Sequence, residues 1–104
     1  MAYSIEAGGT RLVYSGDMGY DEDFARWAAG CDLLLCECSL PATMAVPTHL
    51  TPEQVGALAA IARPSLLALT HLYPPVEQID IRAAIAAHHA GPVVVAHDGW
   101  STEL

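Results

Sequence analysis

Four apolar segments of the sequence end on an ionisable side chain, and this repetition is the first indication of chemistry. The segments end at Asp17, Glu37, His71 and the pair His97–Asp98. Carboxylate and imidazole are common ligands of zinc, manganese and iron in proteins. A bound ion lowers the pKa of a coordinated water to about 7 and so supplies a nucleophile. These residue types therefore favour a divalent-metal site that supports hydrolysis.

Residues so far apart in sequence can act together only if the fold brings them to one place. In an open α/β sheet the ligand site lies beyond the carboxyl ends of the parallel strands, which is where these residues are expected. At any single position the alternative is a polar residue that simply begins a loop. Asp17 could cap a helix, and His71 could be a hydrogen-bonded histidine beside Tyr73.

The strands that would position these residues are a hairpin and a series of buried runs. Residues 2–16 alternate in polarity around two glycines, which predicts a β-hairpin. The continuous apolar runs in 32–37, 65–71 and 92–99 are typical of strands covered on both faces. We also expect residues 100–104 to form a last short strand.

Three helices are predicted between the strands, and the second has the clearest signals. Thr51 can cap it, Pro52 can occupy its first position, and Gln54 completes a capping-box spacing. The first helix is expected to begin after Asp21. The third ends near His88 and His89, where protonated imidazoles would suit the helix dipole.

The order of these elements predicts a single α/β domain with a mixed, largely parallel sheet and helices packed against it. The remaining stretches, residues 39–48 and 72–78, are predicted to be loops. The first of these loops leads to His49.

The charge balance limits the classes of partner. Acidic residues outnumber basic ones 12 to 4, and the sequence contains no lysine. Because nucleic-acid affinity depends largely on Lys and Arg at the phosphates, autonomous RNA or DNA binding is not expected. A response-regulator receiver also clusters acidic residues at strand ends, but that fold needs a lysine that this chain lacks. Bound divalent cations would offset part of the negative charge.

The three cysteines, Cys31, Cys36 and Cys38, are an odd number, so a disulfide framework is not expected. The last two could be half of a zinc site, but there is no second cysteine pair to complete it. We interpret all three as small buried apolar residues.

No apolar run approaches the roughly 20 residues of a membrane span, and we expect a cytoplasmic protein.

Four motifs, taken in order, resemble the C-terminal half of a metallo-β-lactamase-fold hydrolase, in the branch of ribonuclease Z-like and phosphodiesterase-like enzymes. The motifs are LVYSGDMG, CDLLLCECSL, HLTPEQVGALA and LLALTHLYPP. The resemblance covers essentially the whole chain. It implies half of an αββα sandwich, formed by residues 1–104 as one domain, with the N-terminal half absent.

The resemblance also implies roles for four residues. Asp17 matches the aspartate that bridges two metal ions, and His71 matches the last histidine ligand. Glu37 and His49 match a pair that passes a proton to the leaving group. The family's main ligand motif, His-x-His-x-Asp-His, does not occur in this sequence.

The function implied is that of a metal-dependent hydrolase, with zinc as the expected ion and manganese or iron as alternatives. The expected substrate is a small phosphodiester or related ester, and this chain would supply only part of the site. The alternative is a catalytically incomplete half-domain that associates with another copy of itself or with a partner chain. We expect a homo-oligomer or a partner chain to complete the fold.

Overall fold

A five-stranded sheet forms the centre of the molecule in the computed structural model, which describes residues 2–104. The strands lie in chain order across the sheet. They are β1 (Tyr3–Ala7), β2 (Thr10–Tyr14), β3 (Leu33–Glu37), β4 (Leu66–Thr70) and β5 (Val93–Val95). β1 and β2 form the predicted antiparallel hairpin, and β2 to β5 are parallel neighbours. The predicted α/β class and mixed sheet are therefore confirmed.

Helices connect the parallel strands, as a parallel sheet requires. They are α1 (Glu22–Trp27), α2 (Pro52–Ala62), α3 (Pro74–Glu77) and α4 (Ile81–Ala86), with a 3₁₀ turn at Ala42–Met44. The capping box of α2 is confirmed, because Thr51 Oγ1 accepts from the Gln54 N–H and Gln54 Oε1 accepts from the Thr51 N–H. Asp21 caps α1 by accepting a hydrogen bond from the Asp23 N–H.

One face of the sheet forms the hydrophobic core with the helices. Val13, Leu34 and Leu67 lie side by side on neighbouring strands and are fully buried. They pack in one cluster with Leu58 of α2 and Ile85 of α4. Fully burying a side chain of this size stabilises the fold by roughly 1.5–3 kcal/mol. This packing therefore fixes the strands, and with them the loops that follow their carboxyl ends.

The opposite face of the sheet is also apolar, but its residues lie outside that core cluster. Ile5 pairs with Leu12, which pairs with Leu33, so these side chains share this face. Seven of the apolar residues on this sheet face are partly or fully exposed: Tyr3, Ile5, Leu12, Tyr14, Leu35, Leu66 and Val94.

Three local predictions were wrong. Residues 72–78 are not all loop, because α3 begins at Pro74, and proline fits the first turn of a helix. Residues 100–104 form no strand. Helix α4 ends at Ala86, and His89 is buried rather than displayed at a charged helix end.

None of the helices in residues 2–104 is long and apolar enough to cross a membrane.

Candidate metal centre

Asp17 lies in the loop that follows β2, beyond its carboxyl end. The loop turns at Gly16, whose φ of +61° is readily adopted by glycine. Its base is fixed to the neighbouring strand β3, since the Ser15 N–H donates to the Leu35 carbonyl over 2.9 Å. The Asp17 carboxylate extends beyond this anchor and its side chain is 60% exposed, so it is free to turn towards a ligand.

His71 directly follows β4 and faces Asp17. Its Nδ1 lies 3.0 Å from Oδ1 of Asp17. Its backbone is left-handed, with a φ of +57°, an uncommon conformation for a residue other than glycine. The imidazole packs against Tyr73, with ring centres 5.0 Å apart. A residue held in an unusual backbone conformation by its surroundings is common at functional sites.

Glu37, the last residue of β3, is fully buried beneath these two side chains. Its Oε1 accepts from the Met18 N–H at 3.0 Å and lies 3.2 Å from Nδ1 of His49. Its Oε2 accepts a hydrogen bond from Ser39 Oγ. A buried carboxylate is costly unless its oxygens are hydrogen-bonded, and both oxygens of Glu37 are.

His49 reaches the site from the loop before α2. The next residue, Leu50, is fully buried, and its carbonyl accepts hydrogen bonds from the N–H groups of Ser39 and Leu40. The capped start of α2 follows immediately at Thr51. The chain is therefore held on one side of His49, and its imidazole lies 5.7 Å from that of His71.

Asp17, His49 and His71 form a set of three donors suited to a metal ion. One ligand atom from each lies within 4.8 Å of the others. A tetrahedral zinc ion with bonds of about 2.1 Å holds its ligands about 3.4 Å apart, so the three atoms lie near the spacing that such an ion requires. One carboxylate and two imidazoles also suit manganese or iron. The residues present therefore fit a divalent cation.

The thiols on either side of Glu37 are not part of this donor set. Cys36 and Cys38 are fully buried and unpaired, as expected for small apolar residues, and so is Cys31. Burial, and next the Glu37 charge, raises the pKa of the Cys38 thiol to about 12. Burial also raises the pKa of Cys36. Both are therefore thiols at neutral pH while no metal ion is bound.

The His97–Asp98 pair lies beside the donor set without joining it. Both residues are exposed, and His97 Nδ1 lies 2.9 Å from the Asp98 carbonyl oxygen. They line a groove of about 550 Å³ that also includes His71 and Glu77. Of the four strand ends singled out in the sequence, Asp17, Glu37 and His71 come together at the candidate metal centre. The fourth, His97–Asp98, lies beside it.

Ser39 is a site residue that sequence reasoning missed. It is fully buried, and its Oγ both donates to Glu37 Oε2 and lies 3.2 Å from Nδ1 of His71. Its position in sequence, two residues after Glu37, was the available signal.

The sequence comparisons identify the family. Residues 1–72 match the model of the beta-lactamase superfamily domain. An uncharacterized protein of Mycobacterium leprae is 36% identical over 98 residues, which is 92% of this chain and 34% of that protein. An uncharacterized protein of Mycobacterium tuberculosis is 36% identical over 87 residues, 82% of this chain and 32% of that protein. The chain thus spans about a third of the length of these curated relatives.

Solved structures agree with this assignment. The metallo-β-lactamase fold protein YhfI from Bacillus subtilis matches with a TM-score of 0.86 and 28% identity, over 95% of this chain and 42% of that one. A long form RNase Z from yeast matches with a TM-score of 0.60 and 25% identity, over 68% of this chain and 11% of that one. The family model and the fold agree, and the chain belongs to the metallo-β-lactamase superfamily.

Proposed function

We propose that this chain carries metal-binding and proton-transfer residues of a metal-dependent hydrolase that acts on a phosphodiester or a related ester. The observation that carries the proposal is the donor set of Asp17, His49 and His71 above the buried carboxylate of Glu37. Membership of the superfamily supports it independently.

In this proposal Asp17 and His71 hold the cation. Asp17 is exposed and can rotate, and His71 is fixed by its backbone and by Tyr73. Zinc is the ion we expect, with manganese or iron as alternatives, because the donors are one carboxylate and imidazole. A divalent cation at this point would supply Lewis acidity and a hydroxide nucleophile at neutral pH.

His49 and Glu37 would handle the proton of the leaving group. Oε1 of Glu37 lies 3.2 Å from Nδ1 of His49 and is suited to accept its proton. That contact leaves Nε2 of His49 as the atom that can deliver a proton to a leaving oxygen.

The charge of the chain favours a small substrate over a folded RNA. The formal net charge is −8, and the four basic side chains, all arginines, are scattered along the sequence. A long polyanion gains affinity from many cationic contacts, whereas a single phosphodiester needs only the charge of the metal site.

We also propose a cytoplasmic location, since the three free buried thiols suit a reducing compartment.

The test is zinc binding by calorimetry together with hydrolysis of bis(4-nitrophenyl) phosphate. We expect zinc to bind the wild-type chain, and Asp17→Ala and His71→Ala to weaken it by roughly 10-fold or more because each removes a ligand. Glu103→Ala and His88→Ala, exposed residues remote from the site in sequence, are matched controls that keep wild-type affinity. Absence of zinc binding to the folded wild-type chain would overturn the proposal.

A second candidate function is that of an incomplete half-domain that associates through its open sheet face. It is favoured by the exposure of apolar residues there, with Ile5 62% and Tyr3 52% exposed. Contiguous exposed apolar surface on a sheet marks an interaction site. Another copy of the chain, or a partner chain, would cover this face.

Light scattering after size-exclusion chromatography tests this candidate. Self-association through the sheet face predicts a dimer that Ile5→Ser shifts towards monomer. Ile79→Ser is the matched control, because Ile79 is also exposed but lies between α3 and α4 rather than on the sheet. A wild-type chain that stays monomeric would exclude self-association. Zinc binding without hydrolysis in such a monomer would favour a partner chain that completes the site.

A further inference from the structure

A single carboxylate contacts both imidazoles of the donor set, one directly and one through a hydroxyl. Oε1 of Glu37 lies 3.2 Å from Nδ1 of His49. Oε2 of Glu37 accepts from Ser39 Oγ, which lies 3.2 Å from Nδ1 of His71. Glu37 and Ser39 are both fully buried, so water does not compete for these contacts.

The direction of these hydrogen bonds determines which nitrogen of His71 is free. A serine hydroxyl has one proton, and that of Ser39 is directed to the Glu37 carboxylate. Its oxygen can therefore act only as an acceptor towards His71, and this requires the proton of the neutral imidazole to be on Nδ1. The lone pair is then on Nε2, the nitrogen left for a metal ion.

We propose that Ser39 is a positioning residue that holds His71 in its Nδ1–H tautomer and so presents Nε2 to a divalent cation. This inference rests on the proposed function, because it assigns His71 as a ligand. It extends a well-known arrangement, in which a carboxylate orients a metal-binding histidine, by inserting a hydroxyl between them.

Asp17 alone does not provide this orientation. Its Oδ1 lies 3.0 Å from the same Nδ1, so it also accepts from His71 while no ion is bound. Once Asp17 turns to become a ligand, that contact is lost. Ser39 remains, because its own backbone is fixed: its N–H donates to the Leu50 carbonyl, and its carbonyl accepts from the Tyr73 N–H.

The direct test is the tautomer of each histidine, read by multiple-bond ¹H–¹⁵N NMR on the metal-free 104-residue chain. We expect the Nδ1–H form for His71 in the wild type and in Ser39→Thr, which keeps the hydroxyl. Because Asp17 Oδ1 also accepts from His71 Nδ1 in the metal-free chain, Ser39→Ala is made in an Asp17→Ala background. There it should convert His71 to a mixture of tautomers, while His49 keeps its Nδ1–H form through Glu37. Calorimetry should show zinc affinity about 10-fold lower in Ser39→Ala.

Ser15→Ala is the matched control for the loss of a buried hydroxyl. Ser15 is also fully buried, and its Oγ accepts from the Glu37 N–H, but the contacts of its hydroxyl do not include His71. A destabilising effect alone would appear equally in both alanine variants, whereas the tautomer of His71 should change only in Ser39→Ala. This comparison separates a positioning role from a structural one.

Two outcomes separate this inference from the proposed function. A His71 tautomer that Ser39→Ala leaves unchanged in the Asp17→Ala background, with zinc affinity unchanged in Ser39→Ala alone, would overturn the role of Ser39 and leave the metal site standing. A changed tautomer in Ser39→Ala, with no zinc binding to the wild type, would support the contact with Ser39 and overturn the metal site.

Discussion

Nδ1 of His49 lies 3.2 Å from Oε1 of Glu37, and this contact joins a side chain that is 20% exposed to one with no exposed surface. The imidazole is accessible to solvent, while the carboxylate in contact with it is shielded from water. The pairing also explains why a charged residue can end a buried strand, because Glu37 meets two further donors, the Met18 N–H and Ser39 Oγ.

Removing the Glu37 side chain should destabilise the fold as well as the site. Glu37→Ala leaves the buried Ser39 hydroxyl and the Met18 N–H without their acceptor, and we expect the free energy of unfolding to fall by about 3 kcal/mol. Urea denaturation followed by circular dichroism measures this change.

Two further variants serve as comparisons for the change in the free energy of unfolding of Glu37→Ala. Glu37→Gln keeps the side-chain volume and one acceptor oxygen, so we expect a smaller loss than for alanine. Glu103→Ala, at an exposed position near the end of the chain, should change stability by less than about 0.5 kcal/mol. A Glu37→Ala variant as stable as Glu103→Ala would contradict a stabilising role for the buried network.

The role of His49 can be separated from that of a metal ligand. If His49 delivers a proton, His49→Gln should lower the hydrolysis of a phosphodiester with an unactivated alkoxide leaving group by about 10²-fold or more, with zinc affinity near that of the wild type. If His49 is a ligand instead, zinc affinity should fall as far as in His71→Ala. Parallel calorimetry and rate measurements on the two variants distinguish these cases.

Much of the framework of the site could be predicted from two kinds of signal: local capping patterns and the shared direction of parallel strands. The box of Thr51 and Gln54 identifies the start of α2, since a cap depends only on residues a few positions apart. Asp17 and His71 could be placed at one edge because parallel strands share the direction of their carboxyl ends. β2 and β4 lie on either side of β3, and Asp17 Oδ1 after β2 lies 3.0 Å from His71 Nδ1 after β4.

Other parts depend on packing that a single sequence does not display. The contact of Ser39 with His71 joins residues 32 positions apart and depends on side-chain conformations in a buried space. The burial of His89 depends on the path of the chain after α4, where its ring lies so close to Gly91 that a Cβ there would come within 2.7 Å of it. Neither contact produces a sequence motif or a periodic pattern from which it could be predicted.

The cysteines should be unreactive in the folded chain. With its pKa raised from 9.0 to about 12, Cys38 has a thiolate fraction about 10³-fold lower near pH 8 than an unperturbed thiol. We expect slow reaction of all three thiols with Ellman's reagent in native buffer and fast, complete reaction in guanidinium chloride. Fast labelling of even one thiol in native buffer would contradict the burial of these residues.

Cys38→Ala provides a second check on the same residue. If the thiols are structural, this variant should bind zinc like the wild type, because the proposed ligands are Asp17 and His71. A loss of zinc affinity comparable with that of His71→Ala would instead identify Cys38 as a ligand.

Acidification should destabilise the fold through His89. Its side chain is 8% exposed, and its Nε2 has no hydrogen-bond partner within residues 2–104. Burial lowers the pKa of His89 from its ordinary value of 6.5. Between the lowered pKa and about 6.5 the unfolded chain binds more protons than the folded one, so the free energy of unfolding rises with pH in that range. This contribution is complete above the unfolded pKa and is lost as pH falls through the folded pKa.

A leucine at this position removes the titrating group and should flatten that dependence. We expect His89→Leu to show a smaller decrease in the free energy of unfolding than the wild type when urea denaturation is repeated from about pH 7.5 to 5. His88→Leu is the matched control, because the neighbouring imidazole is exposed and its loss should leave the wild-type slope. Equal slopes for His89→Leu and the wild type would mean that His89 is protonated as readily in the fold as in the unfolded chain, and that its burial has no electrostatic cost.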